Sequence, residues 1–171
     1  MSSKKTVLAI VLVALLAGVG FGVWRLSPTP AASAGWLFEL SYPQANGQAL
    51  ALSSQRGRLT VVNFWATWCP PCVEEMPELS RIHTEMSSSG VKVIGLAVDS
   101  PSAVREFLAE RPVSYPVAIV GAAGSDMAKK LGASVDALPY TVLLNQRGEV
   151  LAQKMGRIKE DELRRWIKEA K

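Results

Sequence analysis

Cysteine and histidine are scarce in this chain. Its 171 residues hold two cysteines, Cys69 and Cys72, and one histidine, His83, which leaves a tetrahedral zinc site short of ligands. Net charge is scarce as well. Of the overall +4, Lys4, Lys5 and Arg25 supply +3, so residues 35–171 carry only +1, which gives no electrostatic footprint for nucleic acid. No acidic residue precedes Glu39, and no charge of either sign falls between Thr6 and Trp24. Internal repeats and low-complexity blocks are absent too, which removes solenoid architectures.

The uncharged stretch is the first feature to be explained. Nineteen helical residues, at a rise of about 1.5 Å each, come close to crossing a hydrocarbon core of about 30 Å. Trp24 and Arg25 mark an interfacial exit, and Lys4 and Lys5 favour a cytoplasmic N-terminus, which sends the rest of the chain outward. Residues 1–26 are therefore expected to form a single membrane anchor, residues 27–35 a Pro/Ser/Ala-rich linker and residues 36–171 the folded domain. The competing reading is a signal peptide cleaved after Ala34 in Ala32-Ser33-Ala34. Against it, the apolar run exceeds a typical signal core and the small-residue site lies well beyond its end. Either reading exports the domain to where disulfides form readily.

The two cysteines sit in Val61–Pro77, VVNFWATWCPPCVEEMP. Val61, Val62, Phe64, Trp65 and Ala66 make a nearly continuous apolar run, suited to a strand buried on both faces. Pro70 and Pro71 suit the first turn of a following helix, where their missing N–H groups would lack partners anyway. Cys69 then falls at the helix N-terminus, where the dipole and unpaired amides stabilise a thiolate. Cys72, one turn on, is close enough to close a disulfide onto Cys69 or to expel a thiol bound there. Two other readings of the pair stand beside this one. A purely structural disulfide would close too short a loop to stabilise much. A copper carrier or assembly factor would use the two sulfurs as soft ligands without turnover.

Trp68-Cys69-Pro70-Pro71-Cys72 after a strand resembles the active site of thioredoxin-like proteins. Glu75 and Pro77 beyond it, with Leu138-Pro139 before a later strand, resemble more narrowly the TlpA/ResA-type membrane-anchored thiol-disulfide oxidoreductases, over roughly residues 35–171. The resemblance implies that Cys69 attacks a substrate disulfide and Cys72 resolves the mixed disulfide, with Pro70 and Pro71 tuning the redox potential and no cofactor. It implies a cis Leu138–Pro139 bond beside the cysteines, the Leu138 backbone offering hydrogen bonds to an extended substrate, and Trp68, Leu138 and Pro139 shaping the docking surface. Members of the family usually act as reductants of protein disulfides, as in cytochrome c maturation, and are recharged by a membrane thiol transporter. That places this chain on a bacterial inner membrane, single-pass, with its catalytic domain on the periplasmic side. A dithiol oxidase of the same fold is the rival enzyme, and a peroxide reductase a more distant one.

Two positions depart from the pattern. Asn63 stands where cytoplasmic thioredoxins carry a buried aspartate, and an amide cannot titrate. Glu75, three residues past Cys72 on the same helical face, is the candidate to carry the proton, its alternative being an exposed helix carboxylate. Tyr140 follows Pro139 where threonine is common, which alters the expected groove.

The remaining elements predict an α/β, thioredoxin-like fold with an N-terminal β-hairpin and a central insertion around residues 113–132. Trp36–Leu40 and Gln48–Leu52 read as the hairpin strands about an Asn46-Gly47 turn. Val91–Val98, Pro116–Val120, Tyr140–Leu144 and Val150–Met155 read as strands. Helices are expected from Pro70 to about Ser88, from Ser100-Pro101 to Arg111, from Ser125 to Gly132, and from Lys159 onward. Val73, Met76, Leu79, Ile82 and Met86 recur at helical spacing as a core stripe, the methionines as packing. His83 beside it reads as a boundary residue, with a proton shuttle or a copper ligand as the sharper alternatives.

Overall fold

A computed structural model of the protein describes residues 33–170. The expected anchor of residues 1–26 lies outside them, and among the described residues no helix is long and apolar enough to cross a membrane.

The chain enters through the turn of a later hairpin. Ser33 bridges Glu149, and the Ala34 N–H donates to the Gly148 carbonyl at 2.6 Å, with Ala34 fully buried. Gly35–Glu39 is a 3₁₀ helix, where the turn signal predicts a hairpin strand over Trp36–Leu40. The reason lies in Leu37 and Phe38, which are adjacent yet both buried in one cluster; a strand would point them to opposite faces. The hairpin itself is present but begins later. β1 (Ser41–Pro43) pairs antiparallel with β2 (Ala49–Ala51), and Asn46 Oδ1 accepts the Gln48 N–H at 2.9 Å across the turn.

β3 (Leu59–Trp65) is buried at all seven positions, as its unbroken apolar character requires. α1 (Pro70–Met86) follows, burying Met76, Leu79 and Ile82 of the predicted stripe while Val73 and Met86 stay half-buried. A 3₁₀ turn over Ser87–Ser89 and Gly90, at φ +80°, end it. β4 (Val91–Ala97) lies parallel to β3, and α2 (Pro101–Glu110) starts where predicted, with Ser100 Oγ accepting the Ala103 N–H at 3.3 Å.

The segment read as an insertion supplies β5 (Val117–Ile119), parallel to β4, and α3 (Ala123–Lys130), which starts two residues earlier than Ser125. β6 (Tyr140–Asn145) and β7 (Val150–Met155) are antiparallel, and α4 (Glu160–Glu169) follows Lys159. The sheet order is β5-β4-β3-β6-β7. β3 is thus central, and its C-terminal end delivers the chain to Cys69.

Its alternating side chains build two cores. Val61 and Trp65 pack with α1 and α4 residues such as Met76, Leu79, Leu163 and Ile167, and with both cysteines. Val62 and Phe64 pack on the other face with Leu37, Phe38, Ile94, Leu131 and Val142.

Candidate active site

Cys69 is the N-cap residue of α1, in an extended conformation, with Pro70 and Pro71 as the first two helical residues. The Cys72 and Val73 amides both point back to the Cys69 carbonyl, at 3.1 and 3.2 Å. The sulfurs are joined in a disulfide, with Cα atoms 5.3 Å apart. Exposure separates them: Cys69 keeps 4 % of its surface and Cys72 none. Beside them Trp68 is 66 % exposed, a large apolar side chain left in solvent at the mouth of the site. An open cleft of about 460 Å³, lined by Val73, Met76, Pro77, Phe107 and Val113, runs along α1 from the residue that follows Cys72.

The loop carrying Trp68 is fixed by a residue that motif reading passed over. Asp99 Oδ2 accepts both the Thr67 N–H at 3.0 Å and the Thr67 hydroxyl at 2.6 Å, tying the approach to Cys69 to the end of β4. Burial works against charge on Asp99, but these bonds and one from the Ser100 amide outweigh it and hold its carboxyl below the usual range. The only hint in the sequence was an aspartate directly before the helix-opening Ser100-Pro101.

The Leu138–Pro139 bond is cis. Tyr140 pairs with Phe64 in register, so Pro139 lies level with Trp65, at the end of β3 from which Cys69 follows, and Leu138 packs against the cluster that holds both cysteines. The Pro139 carbonyl is occupied, accepting the Gly156 N–H at 2.8 Å. Tyr140, expected to alter the groove, turns to the other face. It is buried there, with its hydroxyl donating to the Leu131 carbonyl at 2.9 Å. Thr141 is the residue of that pair that faces α1.

Glu75 is fully buried, which removes the exposed-carboxylate reading. Asn63 Nδ2 donates to Glu75 Oε1 at 2.6 Å and lies 3.0 Å from Thr141 Oγ1, while the Ile158 amide donates to Glu75 Oε2 at 2.8 Å. Loss of water raises the Glu75 carboxyl from 4.5 to about 7, against the pull of Ile158, Asn63 and Arg157. A group with that value both takes and gives a proton near neutrality. Asn63 therefore holds the acid that it cannot itself supply.

More polar atoms lie in the same layer. Trp65 Nε1 and the Tyr115 hydroxyl are buried without hydrogen-bond partners, and the two rings crowd Gly95, where a Cβ would stand 3.0 Å from the indole nitrogen and 3.1 Å from the Tyr115 ring. Gly95 is thus required by packing. His83 belongs elsewhere. Eleven residues along α1 from Cys72, roughly 16 Å by helical rise, it is half-buried with Nδ1 unpartnered, and burial, then Lys92, lowers its pKa. Among the described residues no cluster of His, Cys, Asp or Glu could hold a metal ion.

The site thus places a buried disulfide, closed through the more accessible sulfur at a helix N-terminus, beside a cis-proline and a buried acid titrating near neutrality, as two-electron thiol exchange requires. Comparison with known proteins agrees. Residues 27–166 match the Redoxin family model. The chain is 31 % identical to the thiol-disulfide oxidoreductase ResA of Bacillus thuringiensis subsp. konkukian over 123 residues, covering 71 % of this chain and 69 % of that one. It is 28 % identical to ResA of Geobacillus kaustophilus over 166 residues, 94 % of this chain and 92 % of the relative. Among solved structures, a thiol:disulfide interchange protein of the thioredoxin family from Chlorobium tepidum TLS superposes with a TM-score of 0.68 at 26 % identity, covering 84 % of this chain and 96 % of that one. The chain belongs to the Redoxin family and is a thioredoxin-like thiol-disulfide oxidoreductase of the ResA type.

Proposed function

We propose that this enzyme reduces disulfides of exported proteins, held on the outer side of a bacterial inner membrane by residues 6–24 and recharged by a membrane thiol transporter. The difference in exposure between the two sulfurs, at the N-terminus of one helix, carries the assignment of roles.

In the reduced enzyme the Cys69 thiolate attacks a substrate disulfide. A Cys69–substrate bond forms, the substrate S–S bond breaks, and one substrate sulfur leaves with the electron pair. The Cys72 thiol, buried and on the helical face of Glu75, gives its proton to that carboxylate and attacks the Cys69 sulfur. The second substrate thiol departs, two electrons have passed to the substrate, and the enzyme holds the Cys69–Cys72 disulfide. Glu75 releases its proton as the transporter restores the dithiol. Trp68 and the Leu138–Pro139 edge receive the substrate chain. Pro70 and Pro71, having no N–H, leave the first helical turn without two donors near the sulfurs, which limits how strongly the thiolate is stabilised. Cytochrome c apoproteins, with their paired cysteines, are the substrate class that the family resemblance favours.

Cys72→Ser tests the roles. Purified from cells, this variant should carry mixed disulfides on Cys69, visible as thiol-reversible adducts, and Cys69→Ser should carry none. Adducts on the Cys69→Ser protein would reverse the assignment. The reduction potential tests the direction: a value near about −270 mV fits a reductant and one near about −120 mV a dithiol oxidase.

A further inference from the structure

Three carboxylates of α1 reach the connection between β7 and α4. Arg157 forks across two of them, Nη1 donating to Glu74 Oε2 at 2.8 Å and Nη2 to Glu78 Oε1 at 2.9 Å. The next amide, that of Ile158, donates to Glu75 Oε2, and the Glu160 amide donates to Glu78 Oε2 at 2.7 Å. At the other end of this five-residue stretch, the Gly156 amide holds the Pro139 carbonyl. The stretch therefore joins the cis-proline edge to the buried acid.

We propose that Arg157 is a positioning residue for the exchange reaction, its forked guanidinium fixing the connection on α1 so that the Ile158 N–H meets the Glu75 carboxylate. The proposal rests on the reading of Glu75 as the proton carrier. Arg157 and its partners are partly exposed, so the ion pairs themselves add little to stability. Their effect on Glu75 is larger, because a fully buried carboxylate depends on each donor and each nearby charge. Arg157 favours the ionised acid and Glu78 opposes it. From the segment before β5 comes the Tyr115 phenol, whose proton is held on by burial and by Glu75. β3 and β6 contribute the uncharged Asn63 and Thr141. On α4, Glu160 is engaged by Arg81 and Arg164. A lysine at 157 would keep the charge but could not span two carboxylates.

The test follows the Glu75 side-chain carboxyl by ¹³C NMR across pH in the full-length oxidised protein, where no thiol titrates. The wild-type midpoint should lie near 7. Arg157→Gln should move it up by about half a unit to one unit, and Arg157→Lys by less. The pH at which a mixed disulfide preloaded on Cys69 is released at half its maximal rate should move the same way. Hydrogen exchange of the Ile158 amide should quicken about tenfold in Arg157→Lys, which serves as the decisive variant if the glutamine form does not fold. A Glu75 midpoint and an Ile158 exchange rate both unchanged in these variants would overturn the role of Arg157 alone. A wild-type Glu75 that does not titrate near neutrality would overturn the proton-carrier reading, and this one with it.

Discussion

The two faces of β3 are equally closed to solvent and built to opposite rules. On the side of Val62 and Phe64 the cluster is apolar, and the Tyr140 hydroxyl that intrudes has a carbonyl partner. On the side of Val61 and Trp65 the same strand carries Asn63 against a buried carboxylate and two cysteines, with Trp65 Nε1, Tyr115 Oη and Asn63 Oδ1 left without partners. A buried polar atom without a partner costs free energy, so the first face is organised for stability while the second gives some of it up to keep an acid and a redox pair together. One strand serves both because successive side chains point to opposite faces.

The sharpest way to break this comparison is to damage the apolar face. Phe64→Ala should cost about 3–5 kcal/mol in denaturant unfolding, while the fraction still folded exchanges disulfides at the wild-type rate. A proportionate loss of exchange rate would mean that the faces are not separable. Next in size is a pH effect belonging to the polar face alone. The Glu75 carboxyl lies at about 7 in the folded protein against 4.5 for the free group, so the folded state holds its proton more tightly. Stability is then highest below about 4.5 and falls as pH rises toward 7, by about 3 kcal/mol in all. Urea titrations of the oxidised protein should show that fall, and Glu75→Gln should flatten it. A slope that survives the substitution would assign it to another group. The smallest effect is expected from Thr141→Val, which keeps the volume and removes one partner of Asn63, for about 1 kcal/mol by thermal unfolding. A cost several times larger would make the Asn63–Glu75–Thr141 cluster one cooperative unit.

The skeleton of this arrangement was legible because the signals were local. β3 announced itself by an unbroken apolar run, α1 by two prolines and a stripe of period 3.6, and the site by two cysteines one helical turn apart. The cis bond at Pro139 came from resemblance alone, since spacing says nothing about an isomer. Trp36–Leu40 reads as a hairpin strand because it precedes the Asn46-Gly47 turn signal, but that signal does not say how far from the turn the pairing reaches, and the burial of Leu37 beside Phe38 makes the segment a 3₁₀ turn. What the sequence left open or passed over in the site has one cause. Whether Glu75 is buried depends on Asn63, Thr141 and Ile158, which lie 12 residues before it and 66 and 83 residues after it, and the grip of Asp99 on Thr67 spans 32 positions. Such partners are set by the register of the sheet, which no pattern within a single helix contains.

That register also fixes where the first described residues dock relative to the cysteines. Ser33 and Ala34 are fastened to the turn between β6 and β7, which sits at the Leu59 end of β3, whereas Cys69 leaves from the Trp65 end. The seven residues between those ends span roughly 20 Å. The first described residues and the cysteine pair therefore lie toward opposite ends of β3, so the contacts of Ser33 and Ala34 leave the approach to Cys69 unobstructed.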